Sequence, residues 1–146
     1  MQIRLDGRSA LITGGSLGLG RAMALRFAEA GADVALVARR PEVLERTRAE
    51  VEARADGGRV RAYPCDVTDA RRLSDLYERV VADLGRLDLL VNNAGTSATA
   101  RFEDITDEAW HTDLDLKLFA AIRLCRLAFP AMRERRWGRI LFVLNS

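Results

Sequence analysis

The apolar residues of this chain fall into five short runs, and between them lie stretches whose apolar positions recur every three or four residues. Ser9 to Thr13 is an apolar run ended by Gly14 and Gly15. From Arg21 to Ala30, Met23, Phe27 and Ala28 fall at helical spacing, and Gly31 closes that helix. Asp33 to Ala38 predicts a second strand, and Pro41 opens a charged helix that is expected to reach Asp56, before Gly57 and Gly58. A third strand is expected from Arg59 to Cys65. Thr68 and Asp69 can cap a helix over 70–84, whose apolar positions Leu73, Leu76, Tyr77, Val80, Val81 and Leu84 form one stripe, and Gly85 ends it. Leu87 to Val91 reads as a fourth strand stopped by a polar turn at Asn92 and Asn93. Thr106, followed by Asp107 and Glu108, predicts the start of a long helix to about Arg136, kinked at Pro130. Gly138 then opens a fifth strand, Ile140 to Leu144.

Strands that are apolar throughout and alternate with helices predict an α/β fold, a doubly wound parallel sheet covered on both faces. Right-handed crossovers give the strand order 3-2-1-4-5, so the chain reverses direction between the first and fourth strands, where ligands bind in such sheets. The 146 residues make one domain, 1–146. With 49% apolar and 30% charged residues, neither disorder nor a fibrous repeat fits. Lys plus Arg is 23 against 21 for Asp plus Glu, and the signs are interspersed, so no nucleic-acid partner is expected. Lys117 is the only lysine. Cys65 and Cys125 are far apart and lack metal-ligand spacing, which predicts reduced thiols and no metal site. No run approaches the ~20 apolar residues of a membrane span, and the opening residues carry no export signal. A cytoplasmic protein with no membrane partner is the expectation.

Candidate chemistry concentrates in the first turn, Thr13, Gly14, Gly15, Ser16, Leu17, Gly18, Leu19, Gly20, set between a strand and a helix. Missing side chains let the backbone approach a pyrophosphate, and the helix start offers free amides and a positive dipole end. The spacing is TGxxxGxG rather than GxGxxG, and a purely structural turn is the competing reading. Together with Asp66-Val67 after the third strand and the tetrapeptide Asn92-Asn93-Ala94-Gly95 after the fourth, this turn resembles the short-chain dehydrogenase/reductase family. Trp110 in the long helix and the Gly138-Arg139-Ile140 opening of the fifth strand extend the resemblance over essentially the whole chain.

The resemblance implies a Rossmann-type fold that binds a nicotinamide dinucleotide. It implies that Gly14, Gly15, Ser16, Leu17, Gly18 and Gly20 form the phosphate and ribose turn, and that Asp66 accepts from the adenine amino group beside the Val67 backbone. Asn93, Ala94 and Gly95 would lie against the ribose and under the nicotinamide; equally, such asparagines tie central strands together, and both readings stand. Cofactor choice rests on the end of the second strand, where a carboxylate grips a free ribose 2′-hydroxyl and a basic residue accepts a 2′-phosphate. Here the chain reads Ala38, Arg39, Arg40, which favours NADP over NAD through a charge-assisted guanidinium contact. Leu17, where NADP-preferring relatives often place a second basic residue, argues the other way.

The family's Tyr general acid/base, with a Lys four residues later, is missing from these 146 residues. The only tyrosines, Tyr63 and Tyr77, are followed four places on by Val67 and Val81. Lys117 stands where the family usually has a catalytic Asn, and it either lines the active site or reaches solvent. The usual serine position falls on Asn145 without gaps; a shift of one residue makes Ser146 the catalytic candidate. The expectation is the NADP-binding part of an oxidoreductase that transfers a hydride between NADP(H) and a carbonyl or alcohol, a small-molecule substrate. The 146 residues by themselves would be inactive, with the catalytic and substrate-binding remainder lying beyond them. The alternatives are a non-catalytic NADP-binding module, or a truncated fragment acting through a helix-mediated interface. The several apolar sides of the long helix, Trp110, Leu114, Leu118, Phe119 and Ile122, predict a homo-oligomer.

Overall fold

A computed structural model describes residues 3–96 and 100–144. Five parallel strands, β1 (Ser9–Thr13), β2 (Asp33–Ala38), β3 (Val60–Pro64), β4 (Leu89–Asn92) and β5 (Arg139–Phe142), form one sheet in the order β3-β2-β1-β4-β5. The helices are α1 (Gly18–Glu29), α2 (Pro41–Glu52), α3 (Ala70–Leu84), α4 (Asp107–Leu114) and α5 (Ala120–Glu134). A short 3-10 turn, Phe102–Asp104, precedes α4. The two-residue period of a strand sends neighbours to opposite faces. Leu11, Ala35, Val37 and Leu90 pack with α3 and α5, whereas Ile12, Val34, Leu36 and Val91 pack with α1 and α2. Two cores thus clamp the same sheet.

Several element ends differ from the sequence expectation. α1 begins at Gly18, three residues early, because its first turn is built of glycines whose low helix propensity hides it. α2 stops at Glu52 rather than Asp56, and β4 runs on through Asn92, whose backbone pairs with Phe142. The expected single helix from Thr106 to Arg136 is two helices joined by a π turn, Asp115–Phe119. That turn, not Pro130, interrupts it. α5 runs through Pro130, where the freed carbonyl of Arg126 lies on an exposed face and can be met by water.

The strands are also not all covered on both faces. β5 sits at the sheet edge, with Leu141 and Phe142 exposed, and edge strand β3 buries Val60 and Tyr63 while exposing Arg61 and Pro64. Asp69, not Thr68, caps α3 by accepting from the Arg71 and Arg72 amides.

At the N-terminal edge of the sheet, Asp88 is 1% exposed and accepts from the Ser9 amide at 3.1 Å and Arg86 Nε at 2.9 Å. Arg8 approaches the same carboxylate and stacks on Trp137, 3.7 Å from the ring centre. This cluster ties the starts of β1, β4 and β5 together and leaves the opposite edge, at the strand C-termini, for the ligand cleft.

Candidate active site

The cleft opens where the chain reverses between β1 and β4. Thr13, the last residue of β1, organises it. Its Oγ1 donates to the Val91 carbonyl and accepts from the Asn93 and Ala94 amides, both at 3.0 Å. Asn93 answers by donating its side-chain amide to the Thr13 and Gly14 carbonyls, each at 3.1 Å. The glycine turn and the Asn-Asn-Ala-Gly segment are therefore locked to one another. The strand-tying role of Asn93 holds, while Asn93, Ala94 and Gly95 also line the cleft.

Each glycine of the turn has its own reason. Gly14 has φ +63°, and a Cβ there would meet Asn93 Nδ2 at 2.9 Å. Gly15 donates its amide to the Val37 carbonyl and is packed between Ile12 and Leu36, so it faces the sheet and not the cleft. A Cβ on Gly20 would lie 2.2 Å from the Gly14 carbonyl, so this glycine sets how closely α1 approaches the turn. Gly18, φ +54°, has nothing within 4 Å of its would-be Cβ and opens onto the cleft. α1 starts with no side-chain cap and no acidic residue in its first turn, which leaves its amides and positive end for an anion.

The cleft has two connected parts that share Val67, Asn93, Ala94, Gly95, Thr96 and Leu116. The first, about 580 Å³, runs from Gly14, Ser16, Leu17 and Gly18 to Ala38, Arg39 and Arg40 at the end of β2. Both arginines are exposed at its mouth, and among the described residues neither enters an ion pair. Asp66 stands behind this wall and accepts from the Thr68 amide at 3.0 Å and its hydroxyl at 2.8 Å. Those two bonds, helped by the charge of Arg39, hold its carboxyl below the ordinary aspartate range.

The second part, about 440 Å³, is walled by Thr13, Asn92, Lys117, Ala120 and Phe142. Lys117 does line it, carried by the π turn, and its Nζ lies 2.7 Å from Asp113 Oδ1 one helical turn back. Asn92, 7% exposed, leaves its Oδ1 without a hydrogen-bond partner at this wall. Burial pushes the Cys65 and Cys125 thiols up, so neither is a thiolate at neutral pH. Tyr63 is buried in β3 and donates to Asp83, away from the cleft, and burial raises its phenol. Asn145 and Ser146, the two residues competing for the serine position, lie outside the described residues. Among the described residues, no helix is long and apolar enough to cross a membrane, and no cluster of three potential metal ligands exists.

The family model for short chain dehydrogenases matches residues 8–145. The chain belongs to that family. This family member is 40% identical over 142 residues to an uncharacterized oxidoreductase of Mycobacterium bovis, a match covering 95% of this chain and 42% of the relative. It is similar to the L-sorbose reductase of Gluconobacter frateurii, solved with NADPH and L-sorbose, at 36% identity and a TM-score of 0.89, covering 96% of this chain and 53% of that one. A 7α-hydroxysteroid dehydrogenase solved with NADH and a 7-oxo bile acid is 33% identical, with a TM-score of 0.91 over 99% of this chain and 55% of that one. The chain spans about half the length of the relatives it matches.

Four residues that shape the site leave little or no mark in the sequence: Thr47, Thr68, Asp113 and the hydroxyl of Thr13. Asp113 carried a readable signal, since it stands four residues before Lys117. The threonine contacts are tertiary or turn bonds with no periodic trace.

Proposed function

We propose that this chain binds NADP(H) along the cleft and serves an oxidoreductase that passes a hydride between NADP(H) and a small carbonyl or alcohol substrate. The observation that carries the cofactor is the end of β2. Arg39 and Arg40 stand across the cavity from the glycine turn, and Ala38 leaves no carboxylate to grip a 2′-hydroxyl or repel a 2′-phosphate. Relatives of the same fold hold NADPH in one case and NADH in another, so the choice rests on these side chains and not on the fold.

The residues fit the group: the opening at Gly18 and the uncapped start of α1 suit a pyrophosphate. Leu17 and Gly18 offer it backbone amides, Arg39 binds the 2′-phosphate, and Asp66 and Val67 border the adenine. Asn93, Ala94 and Gly95 lie along the ribose and the nicotinamide. When bound, the cofactor supplies or accepts the hydride. Lys117, held by Asp113, places a fixed cation at the far wall, and Thr13 keeps the floor rigid.

In titration calorimetry, Arg39→Ala weakens NADPH by about 1.5–3 kcal/mol, the scale of a hydrogen bond to a charged group, and leaves NADH almost unchanged. Equal losses remove Arg39 from this role.

A second reading, an NADP-binding module without chemistry, is favoured by the ion pair that holds Lys117 to Asp113 at the cleft wall and by Tyr63, whose hydroxyl is bound to Asp83 away from the cleft. NADPH consumption with a panel of aldehydes and ketones separates the two readings. The exposed side chains Trp110, Leu114, Leu118 and Phe119 on α4 and the π turn suit a homo-oligomer contact.

A further inference from the structure

We propose that Thr47, on α2 and outside the cleft, is a positioning residue for dinucleotide binding: its hydroxyl fixes the Ser16–Leu17 peptide so that the Leu17 N–H is presented to the cofactor phosphates. The inference rests on the cofactor reading above.

Thr47 is 5% exposed in the middle of a helix that is otherwise strongly charged. Its Oγ1 lies 2.8 Å from the Ser16 carbonyl, and the Val43 carbonyl of its own helix is farther, at 3.2 Å. The single hydroxyl proton therefore goes to the glycine turn. In a trans peptide the C=O and the next N–H point in opposite directions. Holding the Ser16 carbonyl toward α2 turns the Leu17 N–H away from α2. Among the described residues no acceptor meets that N–H at good hydrogen-bond geometry, and Leu17 lines the cleft beside Gly18. α1 has no side-chain cap to set this peptide instead; Leu17 is its N-cap residue and makes no such bond.

The arrangement links the two halves of the phosphate site. α2 begins at Pro41, immediately after Arg39 and Arg40, so the helix that anchors the glycine turn also carries the arginines. A second latch between the same helices, the bidentate pair of Arg21 with Glu50, includes a 2.7 Å bond and joins α1 to α2 without touching the turn. That pair gives a control for helix packing alone.

The variants are Thr47→Val, which keeps the shape and loses the hydroxyl, Thr47→Ser, which keeps the hydroxyl, and Glu50→Gln. NADPH and NADH affinities are measured by fluorescence titration beside thermal melting. Thr47→Val weakens both cofactors by the same factor, about three- to tenfold for one lost hydrogen bond. This differs from Arg39→Ala, which is selective for NADPH. Thr47→Ser restores the affinity, and Glu50→Gln lowers the melting temperature without changing it.

Wild-type affinity in Thr47→Val, or an equal affinity loss in Glu50→Gln, overturns the inference. Failure of the unaltered protein to bind either cofactor overturns the cofactor reading itself. A measurement independent of any variant is titration with inorganic pyrophosphate followed by amide NMR. The Leu17 resonance moves among the most strongly shifted peaks, and a stationary Leu17 peak contradicts the proposal even where Thr47→Val does not fold.

Discussion

Gly18→Val separates the fold from the cofactor site. The Gly18 φ of +54° is left-handed, where a residue with a Cβ costs roughly 1–2 kcal/mol, and a β-branched residue sits at the upper end. No atom lies within 4 Å of the added Cβ, so there is no steric cost to add. A loss of about 2 kcal/mol in a chain of this size lowers the melting temperature by roughly 4–8 °C. The same open space is the approach to the first amides of α1, and the valine methyls fill it. NADPH binding is then abolished while the circular dichroism of the folded chain is retained. Gly20→Ala is the contrast. Its Cβ would meet the Gly14 carbonyl at 2.2 Å, so stability and binding fall together. A Gly18→Val protein that binds NADPH within twofold of the wild type would refute the assignment of this opening to the phosphates.

Asp88→Ala strands the Ser9 amide and unpairs Arg86 and Arg8; because both arginines are partly exposed and can rehydrate, we expect a loss of about 2–4 kcal/mol in urea unfolding. Asp66 has a folded-state pKa held below its unfolded value, so its contribution to stability is full above roughly pH 5 and fades as the pH falls through and below about 4. Thr68→Ala shifts that loss to higher pH and brings the Asp66 carboxyl back toward the ordinary range in a carbon-13 NMR titration. Leu118→Asp with Phe119→Asp yields monomers in sedimentation velocity where the unaltered protein is a dimer or larger; an unaltered protein that is already monomeric removes the proposed contact.

The sheet was legible because each strand is a short apolar run bounded by glycine or polar residues, and its order followed from handedness. The bounds of α3 were legible to the residue from its single apolar stripe and from Gly85, while Thr68 and Asp69 competed for its cap. The π turn at Asp115–Phe119 was not legible: one extra residue per turn leaves no mark in a segment that is apolar on several sides. The edge position of β5 was legible, because the order 3-2-1-4-5 places Ile140, Leu141 and Phe142 last in the sheet, where an apolar edge lies open. In the site, the glycine turn, Arg39 and the Asn-Asn-Ala-Gly segment stood out in sequence. Their supports did not: Thr47 reaches Ser16 across 31 positions, and a lone threonine in a charged helix carries no pattern.

The central claim, that the cleft is built for a 2′-phosphorylated dinucleotide, is tested most directly by titrating the unaltered protein with NADPH and NADH in the same buffer and salt. The account predicts that NADPH binds more tightly by at least about tenfold, one charge-assisted contact at Arg39 being sufficient for that ratio. Equal affinities, or tighter binding of NADH, would contradict it.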